Sequence, residues 1–174
     1  MSRLRRFRMD ERGGAVVEFA LILPIMLLVL LATVELVQAA EAQRRTSHVA
    51  YAIADVVTQS ARVTDNDLRV IFTGGTLLME PLPAATLGQR IISVTADQNG
   101  QITTDWVSQA PQGAYAGTQP ATVPYGTLPP GVTAIVADVS YTFHPGVKAV
   151  MPDGFRLQKR AVLMPRTAQQ VTRR

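Results

Sequence analysis

Residues 12–33 read RGGAVVEFALILPIMLLVLLAT, in which two glycines end a basic leader and an apolar run begins. Extended from Ala15 to Val37, the run contains two charged residues, Glu18 and Glu35. A helix needs roughly 20 residues to cross the hydrocarbon core of a bilayer, at ~1.5 Å per residue. The sequence therefore predicts one transmembrane helix, over residues 14–38.

The position of Glu18 near the start of this run requires an explanation. An ionised side chain at the centre of a membrane helix costs roughly 2.5–3.5 kcal/mol on insertion scales. If the chain is cut between Gly13 and Gly14, Glu18 becomes the fifth residue and the new ammonium group of Gly14 lies about one helical turn away. A carboxylate and an ammonium, from one chain or from neighbouring subunits, neutralise each other in an apolar core.

The distribution of charge predicts how the chain crosses the membrane. Residues 1–13 hold five arginines and two acids, whereas residues 14–174 hold 12 basic and 11 acidic groups. The net charge of +4 thus comes mostly from this leader, and no basic residue follows the apolar run until Arg44. The positive-inside bias predicts a cytoplasmic leader at 1–13 and an extracytoplasmic chain beyond the span. Nucleic-acid binding is not favoured, because no basic stripe follows.

The segment Gly13–Leu21, with Leu23 and Pro24 after it, resembles the start of TadE/TadG-type minor pseudopilins. These proteins serve the tight-adherence (Flp pilus) machinery, in the type IV pilus superfamily. The resemblance continues more weakly at residues 52–60, 141–145 and 164–166. It implies that a prepilin peptidase cuts after Gly13 and that the product joins or primes a pilus-like assembly. The implied partners are the membrane, the peptidase and other pilins and pseudopilins, and the implied location is the inner membrane, with the head periplasmic, or the pilus.

Three alternatives remain open from the sequence. Cleavage after Gly14 would leave Glu18 at position four. Signal peptidase could cut after Ala42, in Ala40-Glu41-Ala42, or the anchor could stay uncut. Either of the last two would describe an envelope binding protein, anchored or released. The chain is too short for the large extra domain of some TadG proteins, so the resemblance favours a TadE- or TadF-like role.

Beyond the span the sequence predicts an α+β fold. The helix is expected to continue amphipathically through 39–63, ending near Ala61, and a globular head is expected over 64–164. Thr64 and Asp67 form a capping-box pattern for a second helix, which Gly74 and Gly75 are expected to stop. A polar, loosely ordered tail is expected over 165–174.

About four antiparallel strands are expected in the head. Residues 91–97 and 101–107 flank Asn99-Gly100, which predicts a hairpin with a type I′ turn, and Trp106 should partly cover it. Ile102, Thr104 and Trp106 are expected to share one face. Residues 134–143 alternate, with an apolar face on the core and a polar face opposite, and residues 155–164 form a last strand that Lys159 marks as an edge.

The Pro/Gly-rich stretch 109–131 is expected to be a long loop, with Tyr115 and Tyr125 as candidate contacts for another protomer. No arrangement for catalysis is evident: the chain has no cysteine, His48 and His144 are isolated, and the aspartates are scattered. The aspartates, including Asp138, are expected in caps, turns and solvated faces. The sequence thus predicts a protein that is not an enzyme, with no metal, cofactor or small-molecule substrate. The candidate site residues are Gly13 and Gly14 for cleavage, and Glu18 and Phe19 for assembly.

Overall fold

The computed structural model describes residues 12–121, 123, 128–147 and 153–174, with the backbone alone for Arg12 and Gly13. The predicted leader up to residue 11 and Tyr125 lie outside the described residues. The chain divides into two compact units: Met1–Ala39 with Pro145–Asp153, and Ala40–His144 with Gly154–Arg174. The first unit contains the apolar segment, and the second contains the sheet.

The long helix α1 spans Arg12–Thr58 and includes Pro24. In the second unit its buried residues include Ala42, Val49, Ile53 and Val57, and their spacings of seven, four and four residues confirm the amphipathic prediction. The helix ends three residues before the predicted Ala61. Arg62–Val63 form the short strand β1, so the predicted helical continuation over 39–63 is too long at its end.

The second helix, α2, spans Asp65–Leu77 and begins with the predicted capping box. The Asp67 N–H donates to the Thr64 hydroxyl, and the Thr64 N–H donates to the Asp67 carboxylate. The predicted stop at Gly74 and Gly75 is wrong, because the helix continues to Leu77. Gly75 instead allows close packing: a Cβ there would lie 2.2 Å from Gln89 Oε1 and 3.1 Å from Ile53 Cγ2.

Four antiparallel strands form the main sheet in the order β3-β2-β4-β5. They are β2 (Gly88–Ala96), β3 (Ile102–Gln109), β4 (Thr133–Phe143) and β5 (Phe155–Leu163), with a single-turn helix at Ala84–Thr86 before them. The long helix followed by this sheet confirms the α+β prediction. Because β5 is at one end of the order, the edge position predicted from Lys159 is confirmed.

The hairpin between β2 and β3 is confirmed, but its turn is not type I′. That turn needs a positive φ at both central residues, and among the described residues only glycines have one. Gly100 has φ 79°, its N–H donates to the Asp97 carbonyl at 3.0 Å, and the Asp97 N–H donates to the Gln101 carbonyl at 2.8 Å. This is the pattern of a three-residue loop that ends in a left-handed glycine.

A bulge in β3 also changes the predicted faces. Val94 pairs with Thr104 whereas Ser93 pairs with Trp106, so Asp105 is an extra residue. Trp106 therefore does not share a face with Ile102 and Thr104, contrary to the prediction. Its ring is half-buried, as expected, and its Nε1 donates to the Val171 carbonyl at 2.9 Å.

Strand β4 is buried on both faces, whereas the sequence predicted one solvated face. The cover on the second face comes from the Pro/Gly-rich loop. Val123 and Leu128 pack in a hydrophobic cluster with Val136 and with Ile92 of β2. The described part of this loop is therefore a layer of the head rather than a mobile surface connection.

The predicted loosely ordered tail is instead bound to the head. Thr172–Arg173 form β6, which pairs with β1 in parallel, and Val171 is fully buried. The Arg166 N–H donates to the Thr58 carbonyl at 2.9 Å, so the tail satisfies a carbonyl at the end of α1. We call residues 165–174 the C-terminal strap.

Candidate functional site

The predicted cleavage site lies at the start of α1. Helix α1 begins at Arg12, so the Gly13–Gly14 peptide bond belongs to its first turn. Gly14 is exposed, and a Cβ built on it would meet nothing within 4 Å. Since no described part of the chain requires the absence of a side chain at Gly14, packing does not explain a glycine there.

Glu18 and Phe19 lie within the next turn and a half and are also exposed, with Phe19 at 59%. Residues four apart lie on the same face of a helix, with Cβ atoms ~5–6 Å apart. Glu18 is therefore one turn from Gly14, as the sequence predicted. Among the described residues, none donates a hydrogen bond to the Glu18 carboxylate or forms an ion pair with it.

The side chains that follow Glu18 form a continuous exposed apolar surface. It includes Leu21, Ile25, Met26, Leu28, Val29, Leu30 and Leu36, each more than half exposed. Monomeric soluble proteins rarely expose apolar patches of this size. Among the described residues one helix, the Gly14–Thr58 part of α1, is long and apolar enough to cross a membrane. This helix fits a single-pass membrane protein.

The second acid of the apolar segment, Glu35, has a different environment. Glu35 is 3% exposed, and its Oε1 accepts a hydrogen bond from the Val147 N–H at 2.7 Å. Gly146 packs beside it, since a Cβ there would lie 3.2 Å from Glu35 Oε1. Within this unit Glu35 holds the backbone at residues 146–147. The structure thus gives Glu35 a partner within the chain and gives Glu18 none among the described residues.

A buried ionic cluster in the head is the main feature that the sequence reasoning missed. Asp138 of β4 is fully buried between Arg90 of β2 and Arg160 of β5, and the three residues are paired in one row across the sheet. Asp138 Oδ2 accepts from Arg90 at 2.5 Å, and Asp138 Oδ1 accepts from Arg160 Nε at 2.6 Å. The expectation that Asp138 lies in a solvated face is wrong, because the loop covers that face.

The loop completes this cluster. The Arg90 guanidinium donates to the Gln119 carbonyl at 2.8 Å, and its carbon lies 4.3 Å from the centre of the Tyr115 ring. Burial, with a smaller effect from the nearby Asp138 carboxylate, raises the pKa of the Tyr115 hydroxyl. Tyr115 therefore has a contact within its own head, whereas the sequence predicted a contact with another protomer. Every polar group here has a partner, which indicates a structural role for the cluster rather than a catalytic one.

In the described part of the chain, no three His, Asp or Glu side chains come close enough together to hold a metal ion.

Comparison with known proteins gives a match at the N-terminal part of the chain. The family model for TadE-like proteins matches residues 13–55, a stretch that includes Gly13, Gly14, Glu18 and Phe19. The match ends inside α1, so the sheet lies outside it. The chain has no significant match among curated proteins or among solved structures. Over residues 13–55, the match confirms the resemblance that the motif indicated.

Proposed function

We propose that this chain is a minor pseudopilin, a structural or assembly subunit of a Tad/Flp-type pilus and secretion apparatus. A prepilin peptidase cuts it after Gly13, and α1 then serves first as a membrane anchor and later as the assembly helix. The TadE-like match and the exposed apolar helix support this proposal. The orientation follows from the basic leader: the N-terminus is cytoplasmic, the protein lies in the inner membrane, and the head is periplasmic.

The observation that carries the proposal is the environment of Glu18. A carboxylate in an apolar helix needs a counter-charge, and Glu18 has none among the described residues, whereas Glu35 accepts a backbone N–H. Cleavage at Gly13–Gly14 creates an ammonium one turn before Glu18. This positive group, from the same chain or from an adjacent subunit, is the partner that we assign to Glu18.

The open space around Gly14 supports cleavage at this place. Nothing within the described chain requires a glycine at position 14, because a Cβ there would meet no atom within 4 Å. A requirement imposed from outside the fold, such as the narrow active site of a peptidase, accounts for the glycine.

The alternative, release by signal peptidase after Ala42, is less favourable for the folded protein. Ala42 is fully buried in the head, and α1 continues unbroken through it. Glu41, which would be removed, pairs with Arg45 at 2.7 Å. Release there would cut a helix within the packed core, so the structure favours a mature chain that keeps its apolar helix. An envelope binding protein with an uncut anchor remains the competing outcome of the experiments.

Glu18→Ala tests the role of Glu18. We expect the variant to insert into the membrane normally, because removing a charge makes the helix more apolar, and to be lost from assembled pili. The measurement is the amount of the protein in the membrane fraction and in sheared pili. Val17→Ala is the matched control, since Val17 is the exposed neighbour and carries no charge. Normal levels of Glu18→Ala in pili would show that the proposed role is wrong.

A further inference from the structure

The main sheet ends in two edges that have no strand partner among the described residues. One edge is β3, with 8 residues, and the other is β5, with 9 residues. An edge strand presents N–H and C=O groups with which a strand of another chain can pair. The similar lengths make each edge a candidate partner for the other in a second copy of the chain.

The charges of the two edges are complementary. Strand β3 carries one acid, Asp105, and no base, whereas β5 carries Arg156, Lys159 and Arg160 and no acid. Arg160 is used by Asp138 inside the head, but Lys159 has no ion-pair partner among the described residues. Asp105 accepts hydrogen bonds from the hydroxyls of Ser93 and Thr95 and likewise has no cation beside it in the described part of the chain.

The directions of the strands are also compatible. Each neighbouring pair in the order β3-β2-β4-β5 is antiparallel, so β3 and β5 run in opposite directions. When two copies stand side by side in the same orientation, β5 of one and β3 of the next therefore form an antiparallel pair. Two copies of β5 would instead bring like charges together, which is destabilising. The favoured contact is therefore heterologous, with β5 of one copy against β3 of the next.

The side-chain pattern selects a register. Asp105 accepts a hydrogen bond from Ser93, whose partner on β4 is Ile135. The partner of Lys159 on β4 is Val139, which lies four residues after Ile135. Positions an even number apart lie on one face of a sheet, so Asp105 and Lys159 share a face.

Aligning Asp105 with Lys159 places Ile102 opposite Val162. These two side chains are only partly buried, at opposite edges of the same hydrophobic cluster. The same alignment uses the half of β3 that the C-terminal strap leaves open, since Arg173 already donates to the Val107 carbonyl at 2.7 Å.

We propose that residues 159–162 of β5 pair with residues 102–105 of β3 in a second copy, with Lys159 facing Asp105 and Val162 facing Ile102. This contact extends one head's sheet into the next. The two joined heads keep a free β3 edge at one end and a free β5 edge at the other, so further copies can add at either end. It concerns the heads alone and is independent of how the N-terminus is processed.

Disulfide trapping tests the contact, because the chain has no cysteine of its own. Full-length chains carrying Ile102→Cys and Val162→Cys, with different tags, are co-expressed and oxidised in the membrane. We expect a disulfide-linked dimer that contains both tags. The matched control pairs Ile102→Cys with Gln158→Cys, which lies on the same face of β5 but ~13 Å further along the strand. We expect loss of the dimer in that control.

Charge reversal gives the second measurement. Lys159→Glu in the Val162→Cys chain should abolish the cross-link, and Asp105→Lys in the Ile102→Cys chain should restore it. Thermal unfolding of each variant shows whether its head is folded, since Asp105→Lys also removes two hydroxyl contacts. Absence of the dimer in folded proteins, or equal cross-linking of the control pair, would overturn the proposal. Lys159 would then be a charge that protects the edge from pairing.

Discussion

Asp138 shows how a single residue can depend on a distant part of the chain. Its strand alternates apolar and polar residues, a pattern that predicts a solvated polar face. The face is buried because loop residues 110–121 and 123 fold over it, and two arginines from the neighbouring strands neutralise the acid. The alternation was therefore readable from the sequence, but the cover over Asp138 was not, because it comes from a loop with no periodic pattern.

Removing this acid should be costly. Asp138→Ala leaves the guanidinium groups of Arg90 and Arg160 without their carboxylate, and breaking a buried pair in this way costs about 3–5 kcal/mol. Urea unfolding of the full-length protein in detergent measures the free energy of unfolding. Asp65→Ala is the control, because its pair with Arg173 is exposed and should contribute at most about 1 kcal/mol. Similar losses for the two variants would contradict this description of the cluster.

The capping box predicts a pH dependence at the residue scale. The Thr64 backbone N–H and then the Thr64 hydroxyl, both donating to Asp67, lower the pKa of that carboxyl. Because the folded-state pKa is below the unfolded value, the stabilisation is present above the ordinary aspartate pKa of about 3.9 and is lost as the pH falls below it. Urea midpoints of the wild type and Asp67→Asn should differ above about pH 5 and converge toward pH 3. A constant difference would show that ionisation of Asp67 contributes nothing.

At the scale of the element, the two adjacent glycines of α2 explain why the predicted helix end was wrong. A glycine pair ends a helix when the chain must turn, but Gly75 lies against Gln89 and Ile53 and serves close packing. Gly74 faces open space, and nothing in the described structure explains it. From the sequence alone, a packing glycine and a stopping glycine look the same.

This difference predicts opposite effects for one substitution at neighbouring positions. Gly74→Ala should stabilise the protein by about 0.4–1 kcal/mol, because alanine fits the open space and restricts the unfolded chain. Gly75→Ala should destabilise it, because the new methyl group meets the buried Gln89 side chain, whose Nε2 is held by the Phe72 carbonyl at 3.0 Å. Urea midpoints of the two variants report the sign. The same sign for both would mean that the contact with Gln89 does not limit the packing.

The strand and turn predictions were likewise correct only where the signal lies in neighbouring residues. Alternation located the strands, and Asn99-Gly100 located the hairpin, because these signals are local. The bulge at Asp105 and the docking of the C-terminal strap depend on contacts between distant parts of the chain. Val171, for example, lies in a mostly polar tail, yet it is fully buried and its carbonyl accepts a hydrogen bond from Trp106, 65 residues earlier in the chain.

At the scale of the whole molecule, the chain combines an apolar N-terminal helix with a head built on a four-stranded antiparallel sheet. The helix and its TadE-like motif could be read directly, because membrane length, charge bias and the position of Glu18 are properties of consecutive residues. Glu35 and Glu18 looked alike in the sequence. They differ only in the structure, where Glu35 accepts a hydrogen bond from the Val147 N–H and Glu18 is exposed.

The most direct test of the proposed function is the N-terminal residue of the mature protein. Protein isolated from its native membrane is analysed by intact mass and N-terminal sequencing, with and without an active prepilin peptidase in the cell. We expect a chain that begins at Gly14 when the peptidase is active and retains residues 1–13 when it is not. A mature chain that begins at Gln43, or that keeps residues 1–13 in the presence of the peptidase, would contradict the proposal that cleavage supplies the positive partner of Glu18.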